Sequence, residues 1–135
     1  MEFKDLYLKV VGIFLIFLGI IAIIMAIYRE SPSQILYFCY FGLIIIGIGF
    51  VLESPYLIVT QLNILFIPLV VWNLDFISLI FIGESLWGIT DYVLDSQSII
   101  ASFVTLQHVY ILPLSFIALY FMELRRKNMW VVSMI

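Results

Sequence analysis

From Val10 to Tyr28 the chain runs for 19 residues without a charged or strongly polar side chain, and a stretch of that length has few folded options. At about 1.5 Å per residue, roughly 20 apolar residues in a helix match the hydrocarbon thickness of a bilayer. Inside lipid the backbone must satisfy its own N–H and C=O groups, which a helix does. The run is therefore read as a spanning helix, preceded by a short amphipathic leader, Met1 to Lys9, that carries Lys4 and Lys9. A cleavable signal peptide competes, but its apolar core is typically about 7–15 residues and ends at small residues. This run is longer and ends in Tyr28, Arg29 and Glu30.

The same pattern returns three times. Ser31, Pro32, Ser33 and Gln34 read as a helix start, with a capping hydroxyl, proline at the first helical position and an amide that reaches back. Ile35 to Leu52 follows as a second apolar run, and Glu53, Ser54 and Pro55 make a tight turn into a third, Tyr56 to Ile82. Ile99 to Met122 is the fourth, closed by a basic cluster, Glu123 to Lys127. The prediction is an all-α, polytopic transmembrane four-helix bundle with spans at about 10–28, 35–52, 56–82 and 99–122, one transmembrane domain over residues 1–135. Gly12, Gly19 and Ala26 recur at intervals of seven, as do Gly42 and Gly49, which predicts a close seam between helices one and two.

Composition agrees. The chain is 65% hydrophobic and 11% charged, against roughly 45–50% and 25% in soluble domains. The lipid bilayer is its expected partner, together with a second copy or a larger membrane complex. A net charge of −3 with no basic face excludes nucleic acid as a partner class. Cys39 is the single cysteine; it lies in an apolar run and reads as a small buried hydrophobe. Lys4, Lys9, Arg125, Arg126 and Lys127 fall on one side of a four-span topology against Arg29 on the other. The positive-inside rule then predicts a multi-pass cell-membrane protein with both termini cytoplasmic.

The chemistry is concentrated between Trp72 and His108. Helix three carries Gln61, Pro68, Trp72 and Asp75 within about 60° of arc, a polar or irregular stripe expected to face protein. Asn63 and Asn73 lie off that stripe and are expected to repair the backbone around Pro68. Gly83 to Ser98 has no lysine or arginine but holds Glu84, Asp91 and Asp95, with Trp87 and Tyr92 suited to headgroup depth. Asp75 lies about 10 Å inside the outer end of helix three and His108 about 13 Å inside helix four, so the two share a level. Thr105 and Ser115 stand on the same face as His108.

Ionisable groups at membrane depth face the bundle and pair, and mark functional sites. Asp75, Asp91, Tyr92, Asp95 and His108 are the candidate ligand-binding set, with Asp75 and His108 as candidate ligands to a divalent cation. Structural readings stand beside this one: Asp75 paired with Trp72, Asn73 or His108, His108 donating to a backbone carbonyl, Asp91 and Asp95 as caps, and Glu84 as a solvated charge. No close ligand pair, activated nucleophile or glycine-rich loop accompanies them, so no cofactor is assigned. Two function classes follow. One is a carrier, channel-like or accessory subunit that binds a cation, amine or proton at an acidic outer mouth. The alternative is a membrane-embedded enzyme acting on a lipid or polyprenyl substrate, with Asp75 and His108 as acid–base pair or metal ligands.

Trp72, Asp75 and Phe76, then Gly88, Thr90, Asp91, Tyr92 and Asp95, then His108 and Pro113, then Arg125 and Arg126 form the pattern W-x-x-D-F, G-x-T-D-Y-x-x-D, H-x-x-x-x-P, R-R. In this second half the chain resembles a family of uncharacterised bacterial polytopic membrane proteins. The family usually reads Ser-Leu-Phe-His before the last proline, where this chain has Thr105, Leu106, Gln107 and His108. The resemblance implies that Asp75, Asp91, Tyr92, Asp95 and His108 act as one set, and implies no particular reaction.

The topology is testable with single cysteines at Ser85 and Asn128 in a Cys39→Ser background. An impermeant maleimide added to intact cells should label the Ser85 position and spare Asn128; the reverse pattern would invert the orientation.

Overall fold

The computed structural model describes residues 3–28, 34–95 and 99–122. It is all-helical: α1 Phe3–Tyr28, α2 Gln34–Val51, α3 Pro55–Ile82, a single turn α4 Tyr92–Asp95, and α5 Ile99–Phe121. Three helical stretches are long and apolar enough to cross a membrane, Phe3–Tyr28, Pro55–Ile82 and Ser102–Phe121, while Phe38–Val51 is apolar but shorter. That is the build of a multi-pass membrane protein. The expected leader is not a separate element, because α1 begins at Phe3 and continues unbroken into the apolar run. The Ser31 cap, Arg29 and the Glu123 to Lys127 cluster lie outside the described residues.

The four long helices close a ring. α1 packs most extensively on α2, α2 on α3, α3 on α5, and α5 returns to α1. Leu8, Leu15, Leu43, Ile46, Phe50 and Ile58 are fully buried at its centre, with Leu69 and Ile111 nearly so. Large apolar side chains such as Phe17, Ile67 and Tyr120 stand outward. An apolar exterior of this kind is matched to lipid rather than water. At the end of the ring opposite the long loop, Tyr7 Oη donates to the Leu114 carbonyl at 3.1 Å, and the Tyr7 and Phe121 rings meet edge to face at 5.3 Å.

The α2–α3 turn is built from backbone geometry. Ser54 N–H donates to the Gly49 carbonyl at 2.8 Å and Glu53 N–H to Phe50 at 3.1 Å, the paired bonds that terminate a helix through a left-handed residue. That residue is Glu53, at φ 50°, a conformation that glycine usually supplies. Pro55 then occupies the first position of α3, and the Ser54 side chain makes no capping bond there.

Small residues do form close seams, but the glycines of α2 divide differently from the sequence expectation. A Cβ on Gly12 would lie 2.8 Å from the Gly47 carbonyl oxygen, and one on Gly19 would lie 3.0 Å from the Tyr40 carbonyl oxygen. These are the α1–α2 contacts. Gly42 and Gly49 instead abut α3, at Leu65 and Ile58 respectively. The reason is angular: Gly42 and Gly49 lie about 20° apart around the helix, whereas Gly47 lies about 140° from Gly42. Helix α2 stands between two neighbours and presents glycine to each.

Gly12→Ala drives a Cβ against backbone, which cannot swing aside, whereas Gly42→Ala meets the movable Leu65 Cδ1. Thermal melts in detergent should show a loss of about 1–3 kcal/mol for Gly12→Ala and a smaller one for Gly42→Ala. Equal losses, or none, would contradict the assignment of the two seams.

Candidate functional site

The end of the bundle that carries the long loop is organised by Asp75 on α3. No solvent reaches this side chain, because it is covered. The cover is the loop after α3. Trp87 N–H donates to Asp75 Oδ1 at 2.6 Å, and Oδ2 accepts from Thr90 N–H at 2.8 Å and Thr90 Oγ1 at 2.9 Å. The Ile89 amide also points to the carboxylate. Successive backbone amides converging on an anion form a nest, and here the anion comes from the protein's own helix. One turn along, Ser78 Oγ donates to the Glu84 carbonyl at 2.8 Å. Asp75 and Ser78 are three residues apart, so they share a face and hold the loop at two points.

The loop path is set by its glycines. Gly83 ends α3 at φ 86°, with its N–H on the Leu79 carbonyl at 3.2 Å, and Gly88 turns the chain again at φ 71°. Both values are left-handed and suit a residue without a Cβ. Ser85 Oγ donates to Asp91 Oδ1 and accepts from Gly88 N–H at 3.1 Å. Thr90 and Asp91 carbonyls then accept from Val93 and Leu94 to start α4.

Beneath the loop the polar groups are linked through Trp72. Its Nε1 donates to Tyr92 Oη at 3.1 Å, and its ring stacks with His108 at 4.5 Å and Phe76 at 4.9 Å. Burial pushes the Tyr92 phenol above its ordinary range, and its hydrogen bonds with Trp72 and Thr105 offset part of that rise. His108 is 2% exposed, with Nδ1 at 2.9 Å from the Thr105 carbonyl. A carbonyl only accepts, so Nδ1 carries the proton and Nε2 is the acceptor nitrogen. Asn73 Nδ2 donates to the Leu69 carbonyl at 2.7 Å and to the His108 carbonyl at 2.8 Å.

Each candidate thus has a place. Asp75 holds the loop, Asp91 lies exposed within it, and Tyr92 and His108 both engage Trp72. The bonds of Asp75 run to Trp87 and Thr90, and that of His108 runs to Thr105. The side chain of Asp95 lies outside the described residues, and Glu84 is exposed. Among the described residues no three His, Cys, Asp or Glu side chains gather to hold a metal ion. One expectation is extended and another changes. Asn73 engages the backbone beside Pro68, at the Leu69 carbonyl, and in addition ties α3 to α5 through the His108 carbonyl. The stripe is buried at Trp72 and Asp75, where α5 and the loop cover it, while Pro68 is exposed.

Sequence reasoning did not single out Ser78 or Thr90 as anchors of the loop, and a threonine beside an acidic turn was the available signal. Comparison of the chain with protein-family models, curated proteins and solved structures finds no match.

Asp75→Asn keeps the shape but turns one acceptor into a donor facing the loop's own donors. It should cost on the order of 1–3 kcal/mol, and Thr90→Val, which removes one hydroxyl bond, about 1 kcal/mol. Thermal unfolding in detergent measures both, and an Asp75→Asn protein as stable as wild type would overturn the clamp.

Proposed function

We propose that this chain is a four-span membrane component with cytoplasmic termini, a small carrier, channel-like or accessory subunit that takes up a proton or cationic group from the outer side. The observation that carries the reading is His108, a titratable base buried in a span and stacked on the same Trp72 that reaches Tyr92 at the outer loop. Charge supports it. From Glu30 to Leu124 there is no lysine or arginine, while Glu84, Asp91 and Asp95 lie in one loop. Uncompensated acids at a mouth raise the local concentration of cations. In this scheme Asp75 positions the acidic loop, and His108 Nε2 is the acceptor below it. The resemblance to uncharacterised bacterial polytopic membrane proteins fits this reading and adds no reaction.

The enzymatic alternative relies on Asp75 and His108 sharing a proton or a metal. Their hydrogen bonds run to different partners, so no particular observation favours it.

The test is the melting temperature of purified protein across pH, magnesium, manganese, zinc and spermidine. One of these should stabilise the wild type, His108→Ala should abolish the shift, and Asp75→Asn should weaken it through the loop. A wild type indifferent to the whole series, or a His108→Ala shift equal to wild type, would refute the proposal.

A further inference from the structure

Among the described residues, helix α5 buries polar atoms that no protein group satisfies. Gln107 is 1% exposed, and both its Oε1 and Nε2 lack a hydrogen-bond partner. Tyr110 Oη, three residues on, is also buried and unpartnered. Residues three apart on a helix are surface neighbours, and a long helical side chain leans back toward the N-terminus, so the Tyr110 hydroxyl leans over the Gln107 turn.

Direction follows from the rings. His108 faces α3 through Trp72, and Tyr110 faces α1 through Phe14, whose ring lies 6.3 Å away. Around the helix axis Gln107 lies about 100° from His108 and about 60° from Tyr110. It therefore points between the α1 and α3 directions, into the bundle. An amide stranded in apolar surroundings is strongly unfavourable, and buried polar groups in proteins find a partner in protein or ordered water. An amide offers donors and acceptors at one place, and a phenol offers both as well, a combination complementary to water.

We infer that Gln107 and Tyr110 hold buried water inside the bundle, at the sequence level of His108. The site is distinct from the outer loop and does not depend on what His108 binds. Water there makes the bundle interior wet below the Asp75 clamp, while the Phe50 region stays dry.

Hydroxyl-radical labelling by brief synchrotron irradiation tests this on the intact protein in nanodiscs. Radicals form from bound water beside the ring they modify, so Tyr110 should be oxidised despite burial of its hydroxyl, and Phe50 should not. In Gln107→Leu the Tyr110 oxidation should fall to the Phe50 level, and Gln107→Met, of the same reach, supplies the same comparison if the leucine variant does not fold. A wild-type Tyr110 as inert as Phe50 overturns the inference, and so does Tyr110 oxidation that is unchanged in the variants.

Discussion

A carboxylate withdrawn from water at one end of the helix bundle is the constraint on which the loop-bearing half of this protein depends. Asp75 is fully buried, and an isolated charge in that position would be strongly unfavourable. The loop supplies what water would have supplied: amide donors from Trp87 and Thr90 and the Thr90 hydroxyl. The dependence is mutual. Without Asp75 those loop amides would need other acceptors, and without the loop the carboxylate would be left unpaired. Because α4 starts from the Thr90 and Asp91 carbonyls, the position of Tyr92 follows from the same clamp.

The ring of helices provides a rigid base for that arrangement. Glycines on two sides of α2 let it approach α1 and α3 closely, and such small-residue contacts hold helices together where lipid gives no hydrophobic drive. Contacts between α3 and α5 are more polar in kind: Asn73 reaches the His108 carbonyl, and Trp72 stacks on the His108 ring. Close apolar packing on one side and hydrogen bonding on the other divide the bundle into a scaffold, α1 and α2, and a polar half, α3 and α5.

Much of this was legible in the sequence, and the limits have physical causes. Uninterrupted apolar runs gave the ends of the long helices to within about a residue, except that α1 begins at Phe3 and takes in the expected leader, because a helix is the lipid-compatible answer to an unbroken span. Asp75 and His108 stood out because ionisable groups are rare at that depth. Their partners did not, since the donors to Asp75 are mostly backbone amides, which every residue except proline carries. What selects Trp87 and Thr90 is the loop path turned by Gly83 and Gly88. Likewise the seven-residue glycine spacing revealed seams, but not which neighbour each faces. Gly42 and Gly49 share one side of α2 and Gly47 lies on the other, and spacing carries no information about which helix stands opposite.

Amide hydrogen exchange at the loop measures the clamp most directly. If the Asp75 carboxylate holds the loop, the Trp87 and Thr90 amides exchange far more slowly than that of the neighbouring exposed Leu86, and their protection collapses in Asp75→Asn. Rapid exchange at Trp87 and Thr90 in the wild-type protein, indistinguishable from Leu86, would contradict the account.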